Sequence, residues 1–234
     1  MLFFDLEFFV PPEDRFFTQT KGTFKFDPTK KGHLLLGGYF LQTSLKDLTI
    51  QGKHSIWIWK QNLEYLKYSQ ESEKFNENSE KKVIEQIYEI FLMDWKMQQK
   101  QKERVLKKRI YDCVTCGFSI SRIDLPVLFL KGMQHNIAAP DELFRTFLNT
   151  KTIDLSNTSS FLFPEEPVLY PKTQLEVVKR LEIPSFGKSA GSEVWSLFDK
   201  GDYHGIAERC RKEVEEIKQI YRKIQTKISS LSSI

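Results

Sequence analysis

Residues 1–10 read Met1-Leu2-Phe3-Phe4-Asp5-Leu6-Glu7-Phe8-Phe9-Val10, a nearly continuous apolar run broken by two acids at alternate positions. Such a run reads as a central strand buried on both faces. Side chains alternate along a strand, so Asp5 and Glu7 share a face with Phe3 and Phe9. Burying two neighbouring carboxylates is costly unless something positive compensates them. No basic residue lies within the run. A divalent cation is the natural compensator, and hard carboxylate oxygens suit magnesium or manganese. The plainer alternative is a strand end with solvent-facing acids, against which the phenylalanines on both faces weigh.

Working outward, Pro11-Pro12 makes a turn, and residues 22–27, 33–43 and 54–60 read as further strands. Each is rich in β-branched or aromatic residues and bounded by turn formers. Gly37-Gly38 marks a bulge or a break. A polar loop occupies the region near 69–82, with Ser79 a candidate N-cap. Ile84, Ile87, Phe91 and Trp95 then recur at helical spacing. The continuation carries Lys96, Lys100, Lys102, Arg104, Lys107 and Lys108 against the single acid Glu103. That basic run reads either as a solvated helix end favoured by the macrodipole or as a phosphate contact.

Residues 110–120 read as a strand, and a helix begins near Leu125 with Pro126 in its first turn. A helix at 140–148, a strand at 152–156 and a proline-bearing loop at 161–172 follow. The C-terminal part is helical, over 173–181, 192–200 and 203–229. The expectation is one α/β domain over residues 1–234, a mixed sheet with an antiparallel meander at one side plus parallel strands, flanked by helices.

Composition bounds the function only broadly. Hydrophobic residues make up 40% and charged residues 28%, with a net charge of +4, which nucleic acid tolerates but which does not demand it. The N-terminus lacks the basic start of a secretory signal, and no apolar run approaches the roughly 20 residues needed to span a bilayer. A soluble, cytoplasmic protein without membrane contact is expected. Cys113 and Cys116 have C-x-x-C spacing, but no second Cys/His pair stands at ligand spacing. They also fall on opposite faces of the inferred strand, which favours core packing over zinc or redox chemistry.

Two further acids stand out. Asp124 lies where strand and loop give way to an apolar helix, and by itself reads as an N-cap. In the last helix Ile206, Cys210, Val214, Ile217, Ile224 and Ile228 form one stripe. Glu213 lies about 20° from Ile206 and about 40° from Ile217 around that helix, inside the stripe. An acid on a buried face needs a partner, and Arg209, one turn earlier, shares its side.

Together these segments resemble the DEDD superfamily of 3′–5′ exonucleases, which have a ribonuclease H-like fold, and within it the exonucleases related to the proofreading domain of family B polymerases. The family's D-x-E strand is matched by Asp5-Leu6-Glu7. Its second motif is matched by Ile123-Asp124-Leu125-Pro126. Its third is matched by Val194-Trp195-Ser196-Leu197, Gly201 and Cys210-Arg211-Lys212-Glu213-Val214. The three motifs, in order, span nearly the whole chain.

The resemblance implies a metal-dependent exonuclease acting on 3′ ends of single-stranded DNA or RNA through two Mg2+ or Mn2+ ions, with no organic cofactor. It assigns Asp5 as the bridging ligand, Glu7 and Glu213 to the water-side ion, and Asp124 to the other. Phe8, Phe9 and Arg122 are the candidate nucleic-acid contacts, the aromatics by stacking on a terminal base, with core packing the plainer reading for at least one of the two phenylalanines. Two positions depart from the pattern. Glu213 stands where an aspartate is expected, moving the carboxylate outward by roughly 1 Å against magnesium's strict geometry. Arg209 stands where a tyrosine or histidine orients the water, and a guanidinium cannot act as a base. The alternative is therefore a weakened or inactive exonuclease-like module that binds nucleic acid or a protein partner. Arg209 folded among the acids would count against catalysis.

Overall fold

A computed structural model describes residues 1–15, 26–61, 77–104, 114–165, 172–184 and 191–231; the side chains of residues 95 and 97–104 lie outside the described set. The opening run forms β1 (Leu2–Phe9), the middle strand of a five-stranded sheet. β2 (Leu34–Thr43) and β3 (Ile50–Trp57) extend it antiparallel on one side, giving the expected meander. β4 (Val114–Gly117) and β5 (Lys151–Asp154) extend it parallel on the other, so the order is β3-β2-β1-β4-β5. The helices are α1 (Glu77–Arg104), α2 (Asp124–Gln134), α3 (Pro140–Leu143), α4 (Leu155–Thr158), α5 (Gln174–Arg180), α6 (Ser192–Asp199) and α7 (Tyr203–Leu231).

Both faces of β1 are covered, which is why its sequence is apolar apart from Asp5 and Glu7. On one face Phe4 stacks on Phe40 of β2 and meets Phe91 of α1 edge-on. On the other, Phe3 meets Tyr221 of α7 and Phe9 packs on Phe198 of α6. Asp5 and Glu7 thus face α7, as the alternation requires. The pairing of β1 with β2 shifts register between Glu7 and Phe8, beside Gly37 at φ +132°. Gly37 does mark a bulge, and a Cβ there would overlap the Ile56 carbonyl.

Several boundaries differ from expectation. β3 begins at Ile50, earlier than 54, and residues 58–60 close it as a 3-10 turn. Apart from Ile50, its leading residues Gln51–Ser55 carry no large apolar side chain, because this edge strand is exposed or half-buried along Ile50–Ser55. Ser79 is buried within the first turns of α1 and does not cap it. β5 ends at Asp154, whose side chain accepts from Ser156 N–H and caps α4. The helix expected at 140–148 is α3 continued by one π turn over Phe144–Leu148. Residues 161 and 162 belong to a 3-10 turn, not to the expected loop. Residues 26 and 27 are not in a strand, and the rest of the 22–27 expectation lies outside the described residues. So do residues 110–113, including Cys113, and therefore the opposite-face argument for the cysteine pair; Cys116 is a buried free thiol. No helix among the described residues is long and apolar enough to cross a membrane.

A buried polar network ties α1, α2 and β2 together. Glu80 accepts from Leu35 N–H at 2.7 Å and lies 3.1 Å from Lys131 Nζ and 2.8 Å from His135 Nε2. Lys131 also donates to the His33 carbonyl at 2.9 Å, so this fully buried lysine has partners for its charge.

Candidate functional site

The third motif folds as it does for local reasons. α6 ends in a Schellman turn: Gly201 takes φ +72°, its N–H bonds to Phe198 O, and Asp202 N–H bonds to Leu197 O. Asp202 then accepts from Gly205 N–H and caps α7. The Trp195 indole donates to Phe8 O at 3.1 Å, docking α6 on the end of β1. These contacts set the rotation of α7, which lays Ile206, Cys210, Val214 and Ile217 into the core. They also turn Arg209 and Glu213 toward Glu7.

Asp124 arrives from the other side. It is the first residue of α2, and Ile123 occupies the cap position without a side-chain cap bond. Its carboxylate is instead buried close to the Leu6 backbone, between the two acids of β1. Burial pushes its carboxyl well above the ordinary carboxylate range, and the charge of nearby Asp5 pushes it the same way. Asp124 is therefore part of the acidic face and not a simple helix cap.

The loop delivering Asp124 is itself held by a buried acid at the end of β5. Asp154 accepts from Ser119 N–H at 2.9 Å, Ser121 N–H at 3.0 Å, Ser156 N–H at 3.1 Å, Ser156 Oγ at 2.7 Å, and the Ser121 hydroxyl. Ser119 sits at φ +60°, a conformation this carboxylate helps to hold. Arg122 is exposed on the same loop, two residues before Asp124.

The centre of the site is an ion cluster. Arg209 Nη1 pairs with Glu7 Oε1, and Arg209 Nη2 lies 2.7 Å from Glu213 Oε1. The side chains are 13%, 8% and 8% exposed, so solvent screens them little. Burial alone would lower the Arg209 pKa, but the charges of Glu7, Glu213 and Asp5 outweigh it and raise it further. Glu193, mostly exposed, approaches Arg209 Nε at 4.0 Å.

Among the described residues, the group whose ligand atoms all lie within 4.8 Å of one another is Asp5, Glu7 and Cys210, without Asp124 or Glu213. Cys210 was read from the sequence as a stripe residue and as part of the third motif, not as a candidate ligand. Its Sγ lies 3.4 Å from Asp5 O and 3.8 Å from Asp5 Oδ2. Burial first, then the charges of Asp5, Glu7 and Glu213, push its thiol pKa well up, which keeps it a thiol and a poor ligand.

A pair of cations does not fit this arrangement. The chemistry of the oxygens is right for magnesium or manganese. Yet Glu7 and Glu213, the two acids the resemblance assigns to one ion, already share the Arg209 guanidinium. Of the expected nucleic-acid contacts, Phe8 is corrected to a core residue. It lies on the opposite face from the acids, packed on Phe26 at a 4.7 Å ring separation. Phe9 stays on the acidic face, half-buried between Phe198 and the Arg15 guanidinium.

Comparisons with protein-family models, with curated proteins and with solved structures found no match.

Proposed function

We propose that this chain is an exonuclease-like module of ribonuclease H-like design that engages the 3′ end of single-stranded DNA or RNA and hydrolyses it weakly or not at all. The observation that carries the reading is the Arg209 bridge between Glu7 and Glu213. A guanidinium seated between two buried carboxylates offsets one of their two negative charges, where a divalent cation would offset both, and activates no water. The meander-plus-parallel sheet and the placing of Asp5, Glu7, Asp124 and Glu213 around one end of β1 and α7 support descent from the exonuclease plan. Phe9 and exposed Arg122 flank the acids, where a base and a phosphate would be met.

Fluorescence anisotropy with single-stranded oligonucleotides, run beside a gel assay in Mn2+, tests this. Binding is expected to prefer a free 3′ end, to weaken on Phe9→Ala and Arg122→Ala, and to leave the oligonucleotide intact over hours. Absence of binding to every DNA and RNA strand tried defeats the proposal.

A second reading, an active 3′–5′ exonuclease using two Mg2+ or Mn2+ ions, is favoured by one feature. Asp5 and Asp124 still face one another closely enough for Asp5 to raise the Asp124 carboxyl, a repulsion that a divalent cation would relieve. Shortening of a 5′-labelled strand in Mn2+, abolished by Asp5→Ala, would establish that reading instead.

A further inference from the structure

We propose that Arg209 is a built-in counter-ion, holding the place between Glu7 and Glu213 that a divalent cation would take, so that the site folds without metal and gains a response to metal only when Arg209 is removed. This deepens the reading of the four acids as a nuclease-type constellation and rests on it.

The two carboxylates come from different elements, β1 and α7, and both are almost fully buried. Left alone they would repel each other across the interface that joins the sheet to α7. Arg209 reaches each with a different terminal nitrogen, using the planar fork that distinguishes arginine from a lysine point charge. It therefore does two jobs of a bridging ion, offsetting one of the two negative charges and linking two elements. It does not do a third: it offers no open coordination position for water or phosphate.

A dication entering while Arg209 stayed would meet a guanidinium directly bonded to the oxygens it needs. The two cations therefore exclude each other. Sequence position reinforces this, because Arg209 lies four residues before Glu213 on α7 and reaches it by turning along its own helix. The arginine arrives with the acid whenever α7 docks, so closure is a consequence of folding.

Thermal unfolding in EDTA and in MnCl2 tests the assignment. The wild-type midpoint is expected to be the same in both. Arg209→Gln should fall by roughly 6–12 °C in EDTA, from loss of the charge that bridges Glu7 and Glu213, and Mn2+ should restore most of the loss. Adding Glu213→Gln to Arg209→Gln should remove that Mn2+ response. Should Arg209→Gln fail to fold in either medium, the pair Glu7→Gln with Arg209→Gln decides, because deleting acid and arginine together should recover a folded protein. A double variant no more stable than the single overturns the proposal. So does a wild-type midpoint that rises in Mn2+ and loses the rise on Glu213→Gln. Oligonucleotide binding by the same proteins separates the two readings: a chain that binds no nucleic acid but shows the Mn2+ pattern keeps the counter-ion and loses the function.

Discussion

Replacing Asp154 by asparagine should loosen the arm that carries Asp124 without disturbing the sheet. The carboxylate accepts five hydrogen bonds, three through Oδ1 and two through Oδ2. Asparagine keeps one acceptor oxygen. If that oxygen serves Ser119 and Ser156, its amide N–H2 faces the Ser121 N–H donor to donor, and the Ser121 hydroxyl must rotate to accept. A hydrogen bond to a charged group contributes about 1.5–3 kcal/mol, and a neutral one about 1. Losing the Ser121 pair and weakening the other three should cost about 2–4 kcal/mol, softened because Ser121 is exposed and water can replace part of the loss. With a urea slope of about 2 kcal/mol per M, the midpoint should drop by roughly 1–2 M at unchanged slope. Hydrogen exchange should speed up at the Ser119 and Ser121 amides and remain slow in β1. An unchanged midpoint, or protection lost uniformly across the sheet, would refute the idea that Asp154 fixes this loop.

Two further outcomes follow from the buried charges. Lys131→Met should cost about 3–5 kcal/mol by urea unfolding, because it leaves Glu80 buried with only His135 and Leu35 N–H as partners; adding Glu80→Gln should recover much of that. Asp124 has its carboxyl raised in the folded state by burial and then by Asp5. Its contribution to stability is therefore fully present below the unfolded value of about 3.9 and is lost as pH rises through the raised one. Asp124→Asn should consequently be more stable than wild type in EDTA at neutral pH, with a gap that closes as pH falls toward about 4; a gap independent of pH would contradict this.

Much of the site was legible because it follows periodicity. Two-residue alternation put Asp5 and Glu7 on one face of β1, and the helical angle put Glu213 on the buried side of α7. The loop-to-helix change located Asp124, although not its burial beside Asp5, which depends on how α2 docks against β1. What was not legible depends on long-range docking. Asp154 takes two donors from Ser156, two residues on, but Ser121 and Ser119 lie 33 and 35 residues away, and nothing near it in sequence announces them. Glu80, Lys131 and His135 look like ordinary helix charges until α1 and α2 pack. Phe8 and Phe9 are alike as letters and part only because alternate strand residues face different helices. Edge strand β3 was begun too late because an exposed edge does not demand apolar residues. Arg209 was placed beside Glu213 by helical spacing, but its grip on Glu7, 202 residues away, required the tertiary fold.

The central claim is that this grip stands where a metal ion would. A crystal grown in manganese and measured for anomalous scattering tests it most directly. The account predicts Arg209 hydrogen-bonded to both Glu7 and Glu213, with no anomalous peak between those two acids. Arg209 swung outward, with two peaks about 4 Å apart among Asp5, Glu7, Asp124 and Glu213, would contradict it.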